Sequence, residues 1–215
     1  MRYVAALLEA VGTDRVVVLE VHNEAAFDNA FRCETVRLEA AQLFAETIAA
    51  RTDARHLVVV SPDVGGIKRV QQLRTMLAAK LGSPIGVAFM EKTRSEGVVS
   101  GEMLVGDVAG RDVLIYDDLV SSGTTLLRAT RACRQAGARR VVAAATHPVF
   151  TSQARQLFEP GGPEYLLVSD SVPLRGEFAT LGAHRLTVCS IVPLLAAVIE
   201  RLQRCEPLQD LARGA

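Results

Sequence analysis

Val113-Leu114-Ile115-Tyr116-Asp117-Asp118-Leu119-Val120-Ser121-Ser122-Gly123-Thr124-Thr125 carries an apolar run into two adjacent acids and then a small, hydroxyl-rich turn. Val113 to Tyr116 are β-branched, aliphatic or aromatic, as a strand buried on both faces requires, and Leu126 to Gln135 has helical character. The acids and the turn therefore stand at the strand's carboxyl end, which is where open α/β sheets bind ligands. Backbone N–H groups of Ser121 to Thr125 can point at a phosphate at the helix N-terminus. Gly123 permits close approach, and the hydroxyls of Ser122, Thr124 and Thr125 add donors. Asp117 and Asp118 would repel a phosphate, so they are better suited to accept hydrogen bonds from sugar hydroxyls or to hold a metal ion. The stretch reads as a phosphate-binding sugar site. The plainer alternative is an ordinary strand-to-helix turn with a Ser or Thr cap and Asp as turn former.

Outward from this stretch, apolar runs alternate with helical patterns. Helices are expected at Arg2 to Ala10, Leu38 to Arg51, Lys68 to Leu81, Leu126 to Gln135, Thr151 to Phe158 and Val192 to Arg204. Strands are expected at Arg15 to Val21, Leu57 to Val60, Ile85 to Met90, Val113 to Tyr116, Arg140 to Ala145 and Tyr165 to Val168. This alternation predicts an α/β fold with a mostly parallel sheet and helices on both faces. Glu91 to Asp107 breaks the rhythm: it is polar, carries Gly97 and Gly101, and is long for a connection, as lids and binding loops are. Val98 and Val99 could instead pair with Met103 to Val105 as a solvated hairpin.

At 215 residues the chain suffices for one sizeable α/β domain with a small appendage. Lys+Arg 24 against Asp+Glu 24 leaves no net charge, which argues against a nucleic-acid surface dominated by phosphate contacts while leaving room for a local basic loop. The apolar runs are far shorter than a membrane span, and the start at Met1 has no apolar signal core, so a cytoplasmic protein is expected. Cys33, Cys133, Cys189 and Cys205 form no C-x-x-C pair and read as reduced, packed thiols.

Ser61-Pro62-Asp63-Val64-Gly65-Gly66-Ile67-Lys68-Arg69 follows a strand and opens a helix, making a second phosphate cradle with Lys68 or Arg69 available for charge; a simple turn is the alternative. Asp63 would meet phosphates through a bridging Mg2+. Glu20 and His22, at alternating positions of a strand end, would face one metal or phosphate, although a strand-end histidine is more often structural. Lys92 and Arg94 stand on the long polar loop, where cations can close over a transferring phosphoryl group or simply be solvated. His147, in Ala145-Thr146-His147-Pro148, has the same ambiguity as His22, whereas His56 and His184 read as surface or packing residues.

In their order, these pieces resemble the ribose-phosphate diphosphokinase family, which makes phosphoribosyl diphosphate (PRPP) on a type I phosphoribosyltransferase-like fold. The resemblance runs from Tyr3 through Glu20-Val21-His22, Ser61 to Arg69, Lys92-Thr93-Arg94, Val105 to Ile115 and the Asp117 to Thr125 loop, to Ala145 to Pro148 and Ser169 to Leu174. It implies Mg2+-dependent transfer of diphosphate from ATP to ribose 5-phosphate in nucleotide biosynthesis. Asp117, Asp118, Ser121, Ser122, Gly123, Thr124 and Thr125 would bind ribose 5-phosphate. Asp63, Gly65, Gly66 and Arg69 would bind the diphosphate, His22, Asp63 and Glu20 the metal, and Lys92 and Arg94 would be catalytic. Glu20, Ser121 and Thr124 depart from the family's usual Asp, third acid and second Gly.

Family members have a preceding α/β region that supplies much of the ATP site, so residues 1–37 are expected as the remnant of such a unit, 38–204 as the phosphoribosyltransferase-like domain and 205–215 as a frayed tail. Activity is then expected to be impaired, and apolar surface is expected around the first helix. The resemblance implies a homo-oligomer or association with a full-length relative, with no nucleic-acid or membrane partner. A non-catalytic ribose-phosphate-binding relative is the alternative, and a PRPP-using phosphoribosyltransferase the third.

Overall fold

A computed structural model describes residues 1–52, 54–95, 98–181, 184–208 and 211, with the side chains of 54, 92–95 and 98–102 outside the description. Its packing divides the chain into Met1–Ala40 with the segment from Val192 onward, and Ala41–Ile191. The terminal helix Val192–Gln203, which the sequence boundaries grouped with residues 38–204, thus goes by packing with the first unit.

In that first unit, α1 (Arg2–Ala10) turns Ala5 inward while Tyr3, Leu7 and Val11 are exposed. Strands β1 (Arg15–Leu19) and β2 (Glu34–Leu38) pair in parallel around α2 (Glu24–Asp28), which Asn23 caps by accepting the Ala26 N–H at 2.8 Å. Ala5, Phe27, Ala30 and Phe31 form the small core. Glu9 Oε1 accepts the N–H groups of Arg32 at 2.5 Å and Cys33 at 2.9 Å, and these bonds hold its carboxyl below its ordinary value. The expected strand through Val21 stops at Leu19, because Glu20 turns into the left-handed region at φ 50. The helix expected from Leu38 begins only at Ala41, since Leu38 pairs with Leu19 at the end of β2.

The second unit is a seven-stranded sheet in the order β5-β4-β3-β6-β7-β8-β9. Its strands are β3 (Leu57–Ser61), β4 (Gly86–Ser95), β5 (Val98–Val105), β6 (Asp112–Val120), β7 (Arg140–Pro148), β8 (Leu166–Ser169) and β9 (Leu186–Cys189). All neighbours run parallel except β4 and β5. β3 is buried throughout, and full burial of each of its aliphatic side chains contributes about 1.5–3 kcal/mol. Because side chains alternate along a strand, Val58, Val60, Val113, Ile115, Val141 and Ala143 face one way and meet Leu126, Leu127 and Cys133 of α5 (Thr124–Gln135). The opposite parity carries Tyr116, whose ring meets Phe44 of α3 (Ala41–Ala49) edge-on at 5.7 Å. Buried Val70, Leu73 and Leu77 line the inner side of α4 (Ile67–Leu81).

The crossover β3-α4-β4 moves toward one edge and β6-α5-β7 toward the other, so the sheet's direction reverses between adjacent β3 and β6. Loops diverge at such a switch point and leave a crevice at the strands' carboxyl ends. The long polar loop expected at Glu91 to Asp107 is largely strand: β4 continues to Ser95 and pairs antiparallel with β5, with a bulge between Thr93 and Arg94. Val98, Val99 and Met103 to Val105 therefore lie on one strand rather than on two arms of a hairpin, because the longer ladder on β4 pairs more backbone groups.

Candidate active site

Two loops leave the switch point. The one after β3 is closed by its own side chains. Ser61 Oγ donates to the Asp63 carbonyl at 2.6 Å, and Asp63 Oδ1 accepts the Gly66 N–H at 2.9 Å. Gly66 is required by space, since a Cβ there would lie 2.6 Å from Ser61 Oγ. At Gly65 a Cβ would come within 3.3 Å of Asp63 Oδ1.

The loop after β6 is built differently. The strand runs through the acid pair to Val120, so the turn consists of Ser121, Ser122 and Gly123 ahead of α5. Gly123 adopts φ 78, and a Cβ there would sit 2.6 Å from Leu157 Cγ. Ser122 Oγ lies 3.0 Å from Thr124 Oγ1 and accepts the Thr124 N–H at 3.4 Å, and Gly123, at the N-cap of α5, has no side chain with which to cap it. The positive end of the helix dipole suits an anion at this turn.

This loop is held from outside by the 3-10 segment Ser152–Phe158 and the residue before it. Thr151 N–H donates to the Ser121 carbonyl at 3.1 Å, and Gln156 Nε2 donates to the Ser122 carbonyl at 2.9 Å. Sequence reasoning missed these supports. Nothing in the composition of Thr151 to Phe158 marks them, and Gln156 lies 34 residues from its partner.

The acid pair has a cation. Arg69, in the first turn of α4, places Nη2 3.2 Å from Asp118 Oδ2 and Nη1 3.7 Å from Asp117 Oδ1. All three side chains are at most 15% exposed. Asp117 Oδ1 also accepts the Asp118 N–H, and Asp118 Oδ1 accepts that of Leu119, both at 2.9 Å. Burial and then the Asp118 carboxylate push the Asp117 carboxyl up to about 7, while Arg69 pulls it down. Sequence reading set Arg69 among the diphosphate contacts and gave it no acidic partner. Its ion pairs show that the helix after the first loop reaches across to the strand before the second.

At the neighbouring strand ends, His147 Nδ1 lies 2.9 Å from Ser171 Oγ, and Ser169 Oγ donates to the Thr146 carbonyl at 2.6 Å. This network ties β7 to the turn after β8. Glu20 lies in the first unit, where its Oε1 accepts the Ala40 N–H at 3.0 Å and its own N–H donates to Leu38. The alternation that would turn Glu20 and His22 the same way does not hold, because Glu20 is outside the strand in a left-handed conformation. Lys92 and Arg94 are on β4 opposite Glu102 and Val99, and their side chains lie outside the description. Among the described residues no three His, Cys, Asp or Glu side chains cluster as a metal cage, and no helix is long and apolar enough to cross a membrane. All four cysteines are free thiols.

The family model of the phosphoribosyl transferase domain matches residues 34–160, more than half of the chain. The chain belongs to this family. It is 35% identical over 207 residues to the ribose-phosphate pyrophosphokinase of Corynebacterium efficiens, a match covering 94% of this chain and 60% of that protein. It is 34% identical over 211 residues to the enzyme of the same name from Vibrio cholerae, covering 98% and 64%. The crystal structure of phosphoribosylpyrophosphate synthetase from Mycobacterium smegmatis superposes with a TM-score of 0.81 at 31% identity, covering 95% of this chain and 63% of that one. The chain thus spans 60–64% of the length of these relatives. The expected α/β fold with a mostly parallel sheet is the one observed, and the phosphoribosyl transferase match spans both loops of the switch point.

Proposed function

We propose that the chain performs ribose-phosphate diphosphokinase chemistry, forming PRPP and AMP from ribose 5-phosphate and ATP in the cytoplasm. The observation that carries this reading is the pair of glycine-bearing loops at the ends of adjacent β3 and β6, one following Asp63 and the other following the Asp117-Asp118 pair. Similarity to proteins named ribose-phosphate pyrophosphokinase supports it.

In this reading the 5-phosphate sits against Ser121, Ser122, Gly123, Thr124 and Thr125 at the N-terminus of α5. Asp117 and Asp118 hold the ribose hydroxyls. A carboxyl that titrates at about 7 is partly protonated at neutral pH, so Asp117 can donate to a hydroxyl as well as accept from one. Asp63, Gly65, Gly66 and Arg69 stand beside the diphosphate, and Lys92 and Arg94 stabilise the charge that develops on it. The C1 oxygen of ribose 5-phosphate attacks the β-phosphorus of ATP, the bond from that phosphorus to the α-bridging oxygen breaks, and AMP leaves as the C1 hydroxyl proton is released.

Mg2+ is commonly bound by one or two carboxylates together with substrate phosphates and water. Asp63 fits such a role, since one Gly66 N–H leaves its carboxylate with further lone pairs. Bound there, Mg2+ would offset the charge of the phosphates. Association into a homo-oligomer or with a longer relative accompanies this reading.

The test is AMP release from ATP, ribose 5-phosphate and Mg2+, with the Lys92→Ala variant beside the parent chain. Turnover that requires ribose 5-phosphate and falls on the order of 100-fold in the variant is expected. No turnover by either chain, with sugar phosphate still bound, would replace this reading with that of a non-catalytic binding relative.

A further inference from the structure

A cradle of backbone N–H groups binds phosphate only if the carbonyls between them point elsewhere, because a carbonyl oxygen turned inward repels the anion. Across a trans peptide, the C=O of one residue and the N–H of the next point in opposite directions. Whatever holds the carbonyl therefore aims the following amide. In the loop after β6, two successive carbonyls are held by donors from one neighbouring segment: Ser121 O by the Thr151 N–H at 3.1 Å and Ser122 O by Gln156 Nε2 at 2.9 Å. The N–H groups of Ser122 and Gly123 consequently face away from that segment.

We propose that Gln156 is a positioning residue for the phosphate group of a sugar phosphate: by holding the Ser122 carbonyl outward, its amide aims the Gly123 N–H at the anion. This rests on the reading of the loop as a ribose 5-phosphate site and adds how that site is preorganised. The same amide nitrogen lies 3.5 Å from Thr124 Oγ1, so it also biases the hydroxyl at the first position of α5. Gln156 is itself anchored. Its neighbour Leu157 is fully buried beneath Gly123. Phe150, Phe158 and Phe178 pack with ring centroids 4.6–6.2 Å apart, and Arg155 pairs with Glu177. A neutral amide suits the task, since a cation there would compete with the cradle for the phosphate and a carboxylate would face a carbonyl acceptor to acceptor.

The experiment is calorimetric titration of the 215-residue chain and its variants with ribose 5-phosphate, and with inorganic phosphate as a second probe. Gln156→Leu removes the donor at similar length, and both affinities are expected to fall about five- to tenfold, with the urea midpoint unchanged. Gln156→Glu is expected to bind more weakly still at pH 8. Relative to the parent chain at the same pH, it should regain affinity as pH falls and a protonated Glu side chain donates to the Ser122 carbonyl. Gln156→Leu binding within twofold of the parent overturns the inference alone. If Gln156→Leu loses stability, the Glu variant decides: no recovery at low pH overturns the inference. A parent chain that binds no ribose 5-phosphate overturns the ribose-phosphate reading and the inference with it.

Discussion

The loops after β3 and β6 leave adjacent strands and each precedes a helix, yet they are stabilised in opposite ways. The first is tied by side chains within itself, Ser61 to the Asp63 carbonyl and Asp63 to the Gly66 N–H. The second owes its shape to Thr151, Gln156 and Leu157, which arrive from beyond β7. A self-closed loop can carry its geometry wherever a strand and a helix flank it. A loop held from outside becomes ordered only when the sheet is assembled, so its readiness to bind depends on tertiary packing.

Arg69 joins the two regions, and removing it is the strongest way to break the contrast. Arg69→Leu would leave the buried Asp117 and Asp118 carboxylates without their guanidinium, with an expected loss of about 3 kcal/mol at pH 8 in urea denaturation. Asp117 titrates at about 7 in the folded chain against an ordinary 3.8, so the folded state keeps a proton that the unfolded chain has released. Its contribution to stability is full below pH 3.8 and is lost as pH rises through about 7. The Arg69→Leu deficit should therefore shrink toward pH 5, as the carboxyl becomes neutral. A deficit of equal size at both pH values would mean that Arg69 acts through packing rather than charge.

Gly123→Ala should come next. It combines a left-handed backbone with a methyl group driven into buried Leu157, and a loss of about 2–3 kcal/mol is expected together with weakened ribose 5-phosphate binding. A Leu157→Ala background should relieve the steric part. Failure to do so would show that the segment from beyond β7 does not shape this loop.

For the self-closed loop, Gly66→Ala displaces the Ser61 hydroxyl and should lose about 1–2 kcal/mol. Ser61→Ala should absorb most of that loss, so a double-mutant cycle is expected to be strongly non-additive. Additive behaviour would contradict internal closure. Smallest of all, Asp63→Asn keeps an oxygen to accept the Gly66 N–H and should alter the stability by less than about 1 kcal/mol. A thermal melt that drops as far as that of Gly66→Ala would show that the carboxylate charge, and not only its acceptor geometry, closes the loop.

The same contrast explains what was readable from residues alone. Ser61-Pro62-Asp63-Val64-Gly65-Gly66 advertises its turn because the interacting groups lie within five positions of one another. The Asp117 to Thr125 stretch advertised its place at the carboxyl end of a strand, and the sheet bears that out. The extension of β4 through Lys92 and Arg94 was hidden, because polar residues on a two-stranded arm lack the apolar periodicity that marks a buried strand. β9 was hidden because it is an edge strand buried only at Leu186 and Cys189, so it lacks the continuous apolar run that marked the equally short β8. The end of β1 was misplaced by two residues because a left-handed Glu20 is sustained by its bond to Ala40, a partner 20 positions away.

By itself the sequence determined the alternation of strands and helices, the two glycine-bearing turns and the acids beside them, because periodicity and turn chemistry act over a few neighbouring residues. Only the tertiary structure decided that Arg69 belongs with Asp117 and Asp118, and that Gln156 holds the Ser122 carbonyl. Those pairings join groups 34 to 49 residues apart, with 118 minus 69 giving the longer span, and their partners are chosen by which strands the crossovers make adjacent.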